Sequence, residues 1–570
     1  MKSIVKLMTL IWQRCRATWQ KSLYPEPVPL PRTRSFWIAL GLVTLAALAY
    51  IIYFSIFLVT KHNAFQTNGE DLGIMDQAIW SLLHGSMLHQ TICNVLTDTN
   101  CYGINGINRF AIHFEPILFP ISLLYLLWPD PKALLIFQVL IVASGAFPAF
   151  WLARLRLRNP WAALPFALLY LLYPEQQYAV NYDFHPETLT IALLLFALYF
   201  LYTRRTVWLF VFAILAMACK EEIPLVIALL GIWSVVLQRR WRSGAALTLL
   251  ATAWTLVGFF LIPYLFSPTG HPLLITRYAE VGSDPVSIVI NTLLHPINTL
   301  REHVLEPSHM LYLRKLLAPA GYLPLLAPWV LVLAVPTLAL NLLSADPNMY
   351  SGNFQYNAEI IPILIFASIE ATVLIVWIVR WLMGSMSIER ENQESKSAGR
   401  RFSGQSRALS PTWMVQVGVL ALVLSYMLVR VFNFTSQYNV YSVMPYARGF
   451  IKPSVTMHDR LASHFIREIP ADASVSTQTT LVPHLSQRWS IYLFPYAVDQ
   501  ADFIFLDATD YTYPFKDYAD YAAVVKSILR QGNYGILDIK DGYLLLKRDY
   551  PTSDITPAIH MIDDDDGRGS

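Results

Sequence analysis

Charged residues are scarce in this chain, so they can be read group by group. The first outlying group is "NGED" followed by "MDQ" (Glu70, Asp71, Asp76). After it come "HFEP" (His113, Glu115), "NYDFHPET" (Asp183, His185, Glu187) and "CKEE" (Lys220, Glu221, Glu222). Further on stand "TGHPLLITRY" (His271, Arg277, Tyr278) and "SADPNMYSGNFQYNAE" (Tyr350, Tyr356, Glu359). Two chemistries use such a mixture. In group transfer from a lipid phosphate, a carboxylate takes the proton of an acceptor hydroxyl while Lys, Arg or a divalent metal neutralises the departing phosphate. In metal-dependent hydrolysis, histidines and carboxylates hold Zn or Mn. No HExxH, CxxC, nucleophile elbow or P-loop is present. Without a nucleotide-phosphate loop, a donor carried by the bilayer is favoured over a soluble nucleotide. Each group also has a plainer reading: Asp71 as the N-cap of the helix after it, Asp183 as part of a turn before Pro186 at a first helical position, Asp76 as a water-facing helix residue, and Lys220 as a snorkelling or carboxylate-paired lysine.

The elements that must carry these groups are membrane helices. Of 570 residues 55% are hydrophobic and 14% charged, with mean hydropathy +0.42. Soluble chains carry about 25% charged residues, so the composition is that of a polytopic membrane protein. A net charge of +3 and the lack of any basic stripe interleaved with aromatics argue against a nucleic-acid partner. Residues 1–34 are basic and end in the Pro-rich "YPEPVPLPRTR". They lack a signal core and cleavage site, and are expected to form a cytoplasmic amphipathic segment.

A spanning helix needs about 20 apolar residues. Windows of that kind are 36–60, 131–153, 161–173, 189–202, 207–219, 223–237, 245–266, 360–383 and 413–432, with 316–343, broken by prolines, expected to fold back as two short crossings. The expectation is about eleven spans. Basic clusters follow at 154–160, 204–205 and 239–242 and in the linker 384–410, and all fall on one side, which the positive-inside rule makes cytoplasmic. The first outer loop, 61–130, and every polar group above then lie outside. "HFEPILFPISLLYLLWPD" is too short between prolines to span and is read as interfacial or re-entrant. In the outer loop, Cys93 and Cys101 would be placed for a disulfide if that side is oxidising, the alternative being two free thiols.

After 432 the pattern changes. "SVSTQTTLVPHLSQRWSIYLF", "ADFIFLD", "DYADYAAVVKSILRQG" and "YGILDIKDGYLLLKRD" read as strand, strand, helix and a hairpin with an Asp-Gly turn. They predict a small extracytoplasmic α/β domain over 433–556, with a disordered acidic tail, 557–570.

In order from residue 70 to 495 stand "EDLGIMDQAIW", "HFEPILFP", "YDFHPETL", "CKEEIPL", "PTLALNLLS" with "QYNAEIIP", and "LVPHLSQRWSIYLFP". Together they resemble the prokaryotic membrane protein family called domain of unknown function 2079, grouped with the GT-C superfamily of lipid-phosphate-sugar-dependent glycosyltransferases. The resemblance implies a GT-C-like membrane domain over 35–432, with an acidic base in the first outer loop, matched by Asp71, juxtamembrane helices after it, and a soluble C-terminal domain. It implies transfer of a sugar from a polyprenyl-phosphate donor to an extracytoplasmic hydroxyl of a glycan, lipid or protein, with inversion, in the prokaryotic cell membrane. Lys220 and Arg277 are then expected to hold the phosphate. Asp76, His113, Glu115, Asp183, His185, Glu222 and Tyr356 would contact substrate. The set is rich in metal-type ligands, which leaves open a divalent cation (Mg or Mn) on His113, Glu115, Asp183, His185 or Glu221. The competing expectations are a transporter or flippase, which would tend to show inverted repeats, and a metal-dependent membrane hydrolase.

Overall fold

The computed structural model describes residues 30–96, 101, 103–394, 417–418, 420–430, 444–445, 450–551 and 554–564. Most of the N-terminal basic segment and of the linker 384–410 therefore lies outside the described residues. Among the described residues four helices are long and apolar enough to cross a membrane: Arg34–Asn63, Pro131–Leu157, Trp241–Phe266 and Gln355–Val379. Shorter apolar helices are Pro160–Leu171, Pro186–Tyr202, Thr206–Met217, Ile223–Val236, Pro285–Leu294, Pro328–Leu342 and Leu420–Arg430. Pro285–Leu294 is absent from the windowed map. The window 316–343 gives one broken run of ten residues or more, Pro328–Leu342, where two crossings were expected. The segment after "HFEP" is split into one-turn helices, Leu118–Ser122 and Leu123–Leu126.

The first helix shows why these elements belong in lipid. Thr33 caps it through Phe36 N, and Phe36, Ala39, Val43, Ala47, Tyr50, Phe54 and Leu58 form a buried stripe at three- and four-residue spacing. The opposite face is equally apolar, with Leu45, Ile52 and Ile56 about 60% exposed. Such a face is stable only against hydrocarbon, where the helix satisfies its own backbone. At the other end of these helices, Arg156 and Glu370 form a buried two-bond ion pair (2.5 and 2.8 Å) that ties Ala146–Leu157 to the helix beginning at Ile360.

The loop after the first helix contains a small antiparallel bridge, β1 (His89–Gln90) with β2 (Ile107–Asn108), and the disulfide Cys93–Cys101, Cα atoms 5.6 Å apart. The C-terminal region holds a five-stranded sheet: β3 (Val475–Thr477), β4 (Ile491–Leu493), β5 (Phe503–Asp507), β6 (Tyr534–Lys540) and β7 (Tyr543–Arg548), in the order β4-β3-β5-β7-β6. β3 runs parallel to both β4 and β5, and β7 is antiparallel to its two neighbours. Asp541 and Gly542, both with positive φ, make the β6–β7 turn, as an Asp-Gly hairpin requires. Helices Met457–Glu468 and Tyr518–Gln531 pack on the sheet. The expected disordered tail is partly a helix, Thr556–Asp564, because Ala558 and Ile562, four residues apart, are buried in the core of Tyr521, Val525 and Leu546.

Candidate active site

The sequence Asn68–Gly73 sits between the first helix and Ile74–Leu83 as one π-helical turn, Gly69–Gly73. Its cap is Asn68, which accepts from Glu70 N at 2.8 Å, and not Asp71 as the simplest capping reading had it. Asp71 is thereby free to turn its carboxylate to His185, whose Nε2 lies 3.0 Å from Oδ1. The hydrogen bond and charge of Asp71 raise the His185 pKa, against burial, which alone would lower it more than either raises it. The imidazole stacks on Tyr182 with ring centroids 5.6 Å apart, and its buried Nδ1 has no hydrogen-bond partner.

Asp183, with φ +59°, is the fastener of this arrangement. It takes Lys61 Nζ at 3.1 Å and Asn68 N at 2.6 Å, so the end of the first helix and the cap of the Asp71 turn are held by one carboxylate. It does not line the cavity described next.

A cavity of about 400 Å³ opens at Asp71, within the size of small-molecule sites. His113, Glu115, His185, Lys220, Arg277 and Tyr356 line it. It adjoins a narrower polar chamber of about 80 Å³ that shares His113, Lys220, Arg277 and Tyr356 and adds Glu221, Glu222 and Glu359. That chamber in turn shares Phe259, Ile275, Tyr278 and Leu340 with an apolar groove of about 590 Å³ walled by Leu256, Val286, Val289, Leu293 and Ala339. Polar mouth, a charged chamber in which Lys220 and Arg277 stand among four glutamates (Glu187, Glu221, Glu222 and Glu359), and apolar groove therefore adjoin in sequence.

Lys220 pairs with Glu187 and with Glu222 (2.7 Å) and lies over the Tyr356 ring, 5.4 Å from its centroid. Burial holds the Glu222 carboxyl above the usual carboxylate range. Arg277 meets Asp346 at 3.4 Å. Buried atoms of Glu187 (Oε1) and Glu359 (Oε1) have no partner. Such atoms are rare in native cores and call for a ligand or water.

The metal-type residues are each committed to a protein partner. His113 Nδ1 and Glu221 Oε1 are 2.8 Å apart, and Glu221 also accepts from Phe114 N at 2.9 Å. Glu115 takes two bonds from Arg109 (2.8 and 3.1 Å). With Asp183 on Lys61 and His185 on Asp71, no three of the five candidates offer convergent ligand atoms. Among the described residues the group that does is His464, Glu468 and Asp538, none of which lines the cavity.

Asp76 also lies away from the cavity. It is fully buried, bonded to Tyr125, Ser486 (2.5 Å) and Gln487 (3.1 Å), and burial pushes its carboxyl up to about 6. The C-terminal region supplies what covers it. Thr479 Oγ1 accepts from Gly69 N (3.1 Å) and donates to Asn68 Oδ1 (3.0 Å), and Gln77 Nε2 donates to the carbonyls of Arg488 and Trp489. The same region sends Tyr511 and Tyr513 into the cavity wall. Neither tyrosine nor Arg109 was singled out from sequence. Arg109 could have been found from its spacing to Glu115, whereas "DYTYPF" carries no signal.

A helical membrane domain whose facing loops build one polar cavity, closed by a small α/β sheet, defines a multi-pass membrane protein with an enclosed site at one end of its helices. The family model described as "Predicted membrane protein (DUF2079)" matches residues 61–545, and the chain belongs to that family. Its structure is similar to the crystal structures of ArnT from Cupriavidus metallidurans in the apo state (11% identity) and bound to undecaprenyl phosphate (14% identity). Each likeness covers 89% of this chain and 98% of the other, with a TM-score of 0.48. No curated protein matches the chain.

Proposed function

We propose that the protein is a membrane glycosyltransferase that moves a sugar from a polyprenyl-phosphate donor to an acceptor hydroxyl, with inversion. The observation that carries this reading is the adjacency of a carboxylate at the cavity mouth, a chamber holding Lys220 and Arg277 among glutamates, and an apolar groove beyond. A lipid-linked sugar phosphate has the same order of parts. With the N-terminus in the cytoplasm, the cavity and the sheet lie on the outer side of the cell membrane.

In the reaction, one Asp71 oxygen is held by His185 and the other takes the acceptor proton. The acceptor oxygen bonds to the anomeric carbon from the face opposite the phosphate. The bond from that carbon to the phosphate oxygen breaks, and its electron pair leaves with the lipid phosphate. Arg277, with one carboxylate at 3.4 Å, meets the phosphate first. Lys220 lines the same cavity, its charge shared with Glu187 and Glu222. Asp183 acts as a positioning residue through Asn68 and Lys61.

The test is a transfer assay on the full chain in nanodiscs, with radiolabelled polyprenyl-phosphate sugars, a membrane extract as acceptor source, and EDTA in half the samples. Label should move to an acceptor with wild type and not with Asp71→Asn. Undiminished transfer by Asp71→Asn overturns the base, and label released only to water points to a hydrolase.

A further inference from the structure

The sheet is turned with its ligand-binding edge toward the cavity. In open α/β sheets, ligands bind outside the carboxyl ends of parallel strands, where the chain switches direction across the sheet. Here the switch is at β3, with β4 on one side and β5 on the other, all three parallel. The residues after β3 reach Asn68 and Gly69 through Thr479. Those after β5 include Tyr511 and Tyr513, the two side chains this region contributes to the 400 Å³ cavity. Their rings are stacked, centroids 5.8 Å apart and planes at 18°. Tyr513 is anchored by Asn94 Nδ2 at 2.8 Å, whereas Tyr511 is 64% exposed at the mouth.

An exposed aromatic face held beside hydrogen-bonding carboxylates and amides is chemically specific. The negative face of a ring attracts the weakly positive C–H bonds of a flat aliphatic surface, and a pyranose has one such face with hydroxyls around its edge. Asn68, Glu70 and Asp71 line the same cavity and can meet those hydroxyls. Arg109, which also lines it, is committed to Glu115, and Arg277, the other guanidinium lining this cavity, is the group assigned to the donor phosphate. Among the described residues the apolar groove has no lining residue from the sheet region, so a lipid acceptor would find no apolar path there.

We infer that Tyr511 and Tyr513 form the acceptor subsite, and that the acceptor is a carbohydrate whose pyranose ring lies on Tyr511 with a hydroxyl turned to Asp71. This rests on the transferase reading for its consequence but not for its detection. The probes are methyl glycosides of glucose, galactose, mannose and N-acetylglucosamine, against a Ser/Thr tripeptide, by saturation-transfer NMR on the full chain in nanodiscs. Binding of radiolabelled polyprenyl phosphate is measured on the same samples. The expected result is saturation of ring C–H protons on one face of a pyranoside and none of the tripeptide. Tyr511→Ala should weaken that binding about tenfold, as loss of one aromatic contact implies, Tyr511→Phe should stay within twofold of wild type, and lipid binding should not change in either. If lipid binds but no pyranoside does, or pyranoside binding survives Tyr511→Ala, the subsite is wrong and the donor reading stands. If pyranosides bind through Tyr511 and no polyprenyl phosphate binds, the transferase reading falls and the sugar site stands.

Discussion

Gly73 ends the turn that carries Asp71, and adding one carbon there separates the cavity from the sheet. Its backbone is helical (φ −62°, ψ −44°), so on backbone grounds alone Gly73→Ala would stabilise by about 0.4–1 kcal/mol. The new Cβ would stand 2.7 Å from Val482 Cγ1 and 3.4 Å from Ile92 Cδ1. Val482 is fully buried, stiff about χ1, and its N–H is bonded to Gln478 O at 3.1 Å, so the overlap is relieved only by moving the two segments apart. Overpacking of this kind costs about 1–3 kcal/mol, which leaves a net loss of about 0–2.6 kcal/mol after the backbone gain. The kinetic effect is larger, because a displacement of about 1 Å at a reacting group costs up to about 10²-fold in rate. Val482→Ala removes the overlapping methyl, so the two changes should not add: interaction energies of about 0.5–3 kcal/mol are usual for touching residues. Thermal midpoints in nanodiscs at a fixed scan rate, with transfer rates alongside, read the cycle. Gly73→Ala should melt no higher than wild type and transfer at least tenfold more slowly. The double variant should melt no lower than the worse single variant and recover most of the rate. An additive fall in both, or a fully active Gly73→Ala, would refute the packing argument.

Other perturbations bear on separate parts of the fold. Asp71→Asn should lower transfer by about 10²–10⁴-fold, the usual contribution of a general base, with polyprenyl-phosphate binding unchanged in a filter assay. Arg156→Met or Glu370→Leu alone should each cost about 3–5 kcal/mol, since each takes from a buried charge its opposite in a two-bond pair, and the double apolar variant should return close to wild type in thermal midpoint. His458 has Asp507 at 2.7 Å from Nε2 and Asp541 at 3.1 Å from Nδ1, and the Asp507 hydrogen bond leads in raising its pKa to about 9. A raised folded value means that its contribution is complete below the unfolded value near 6.5 and is lost as pH climbs through about 9. Its partial exposure reduces that contribution to about 1 kcal/mol. The midpoint gap between wild type and His458→Gln should therefore narrow from pH 6 to pH 10, and a constant gap would count against the pairing.

What the sequence made legible follows from which forces are local. Apolar runs mark helices wherever lipid is the solvent, so Arg34–Asn63 and Pro131–Leu157 fall where windowed hydropathy puts them. The polar groups at the helix ends were equally plain because each stands out from its neighbours. Pairing among them was not legible: Asp71 and His185 are 114 residues apart, and Asp183 reaches Lys61 across 122, distances at which spacing carries no information. Asp76 was misplaced for a related reason. On a helix lying at a membrane surface it should face water, but Ser486 and Gln487, some 410 residues later, cover it. Pro285–Leu294 was missed because ten residues, Ser287, Asn291 and Thr292 among them, fall below any spanning window. The helix at 556–564 was missed because its aspartates outweighed Ala558 and Ile562 in composition, although only the latter pack.

The sharing of hydrogen bonds between residues 68–91 and 479–491 makes completion of the site depend on the last part of the chain. Cutting after residue 432 would take Thr479 from Asn68 and Gly69, Ser486 and Gln487 from Asp76, and two carbonyls from Gln77. Groups newly open to water recover much of that loss, but the Asp76–Tyr125 pair would then face solvent on one side. The burial that pushes Asp76 up to about 6 would be relieved, and its carboxyl should return toward the usual carboxylate range. The membrane helices lose little, since among the described residues their buried core draws Met444 alone from beyond the cut. The truncated chain should therefore insert and keep polyprenyl-phosphate binding at the groove, yet lose transfer by at least the tenfold expected of Gly73→Ala, because the same turn is freed. Transfer at the wild-type rate by the truncated chain would mean that the sheet covers the Asp71 turn without holding it.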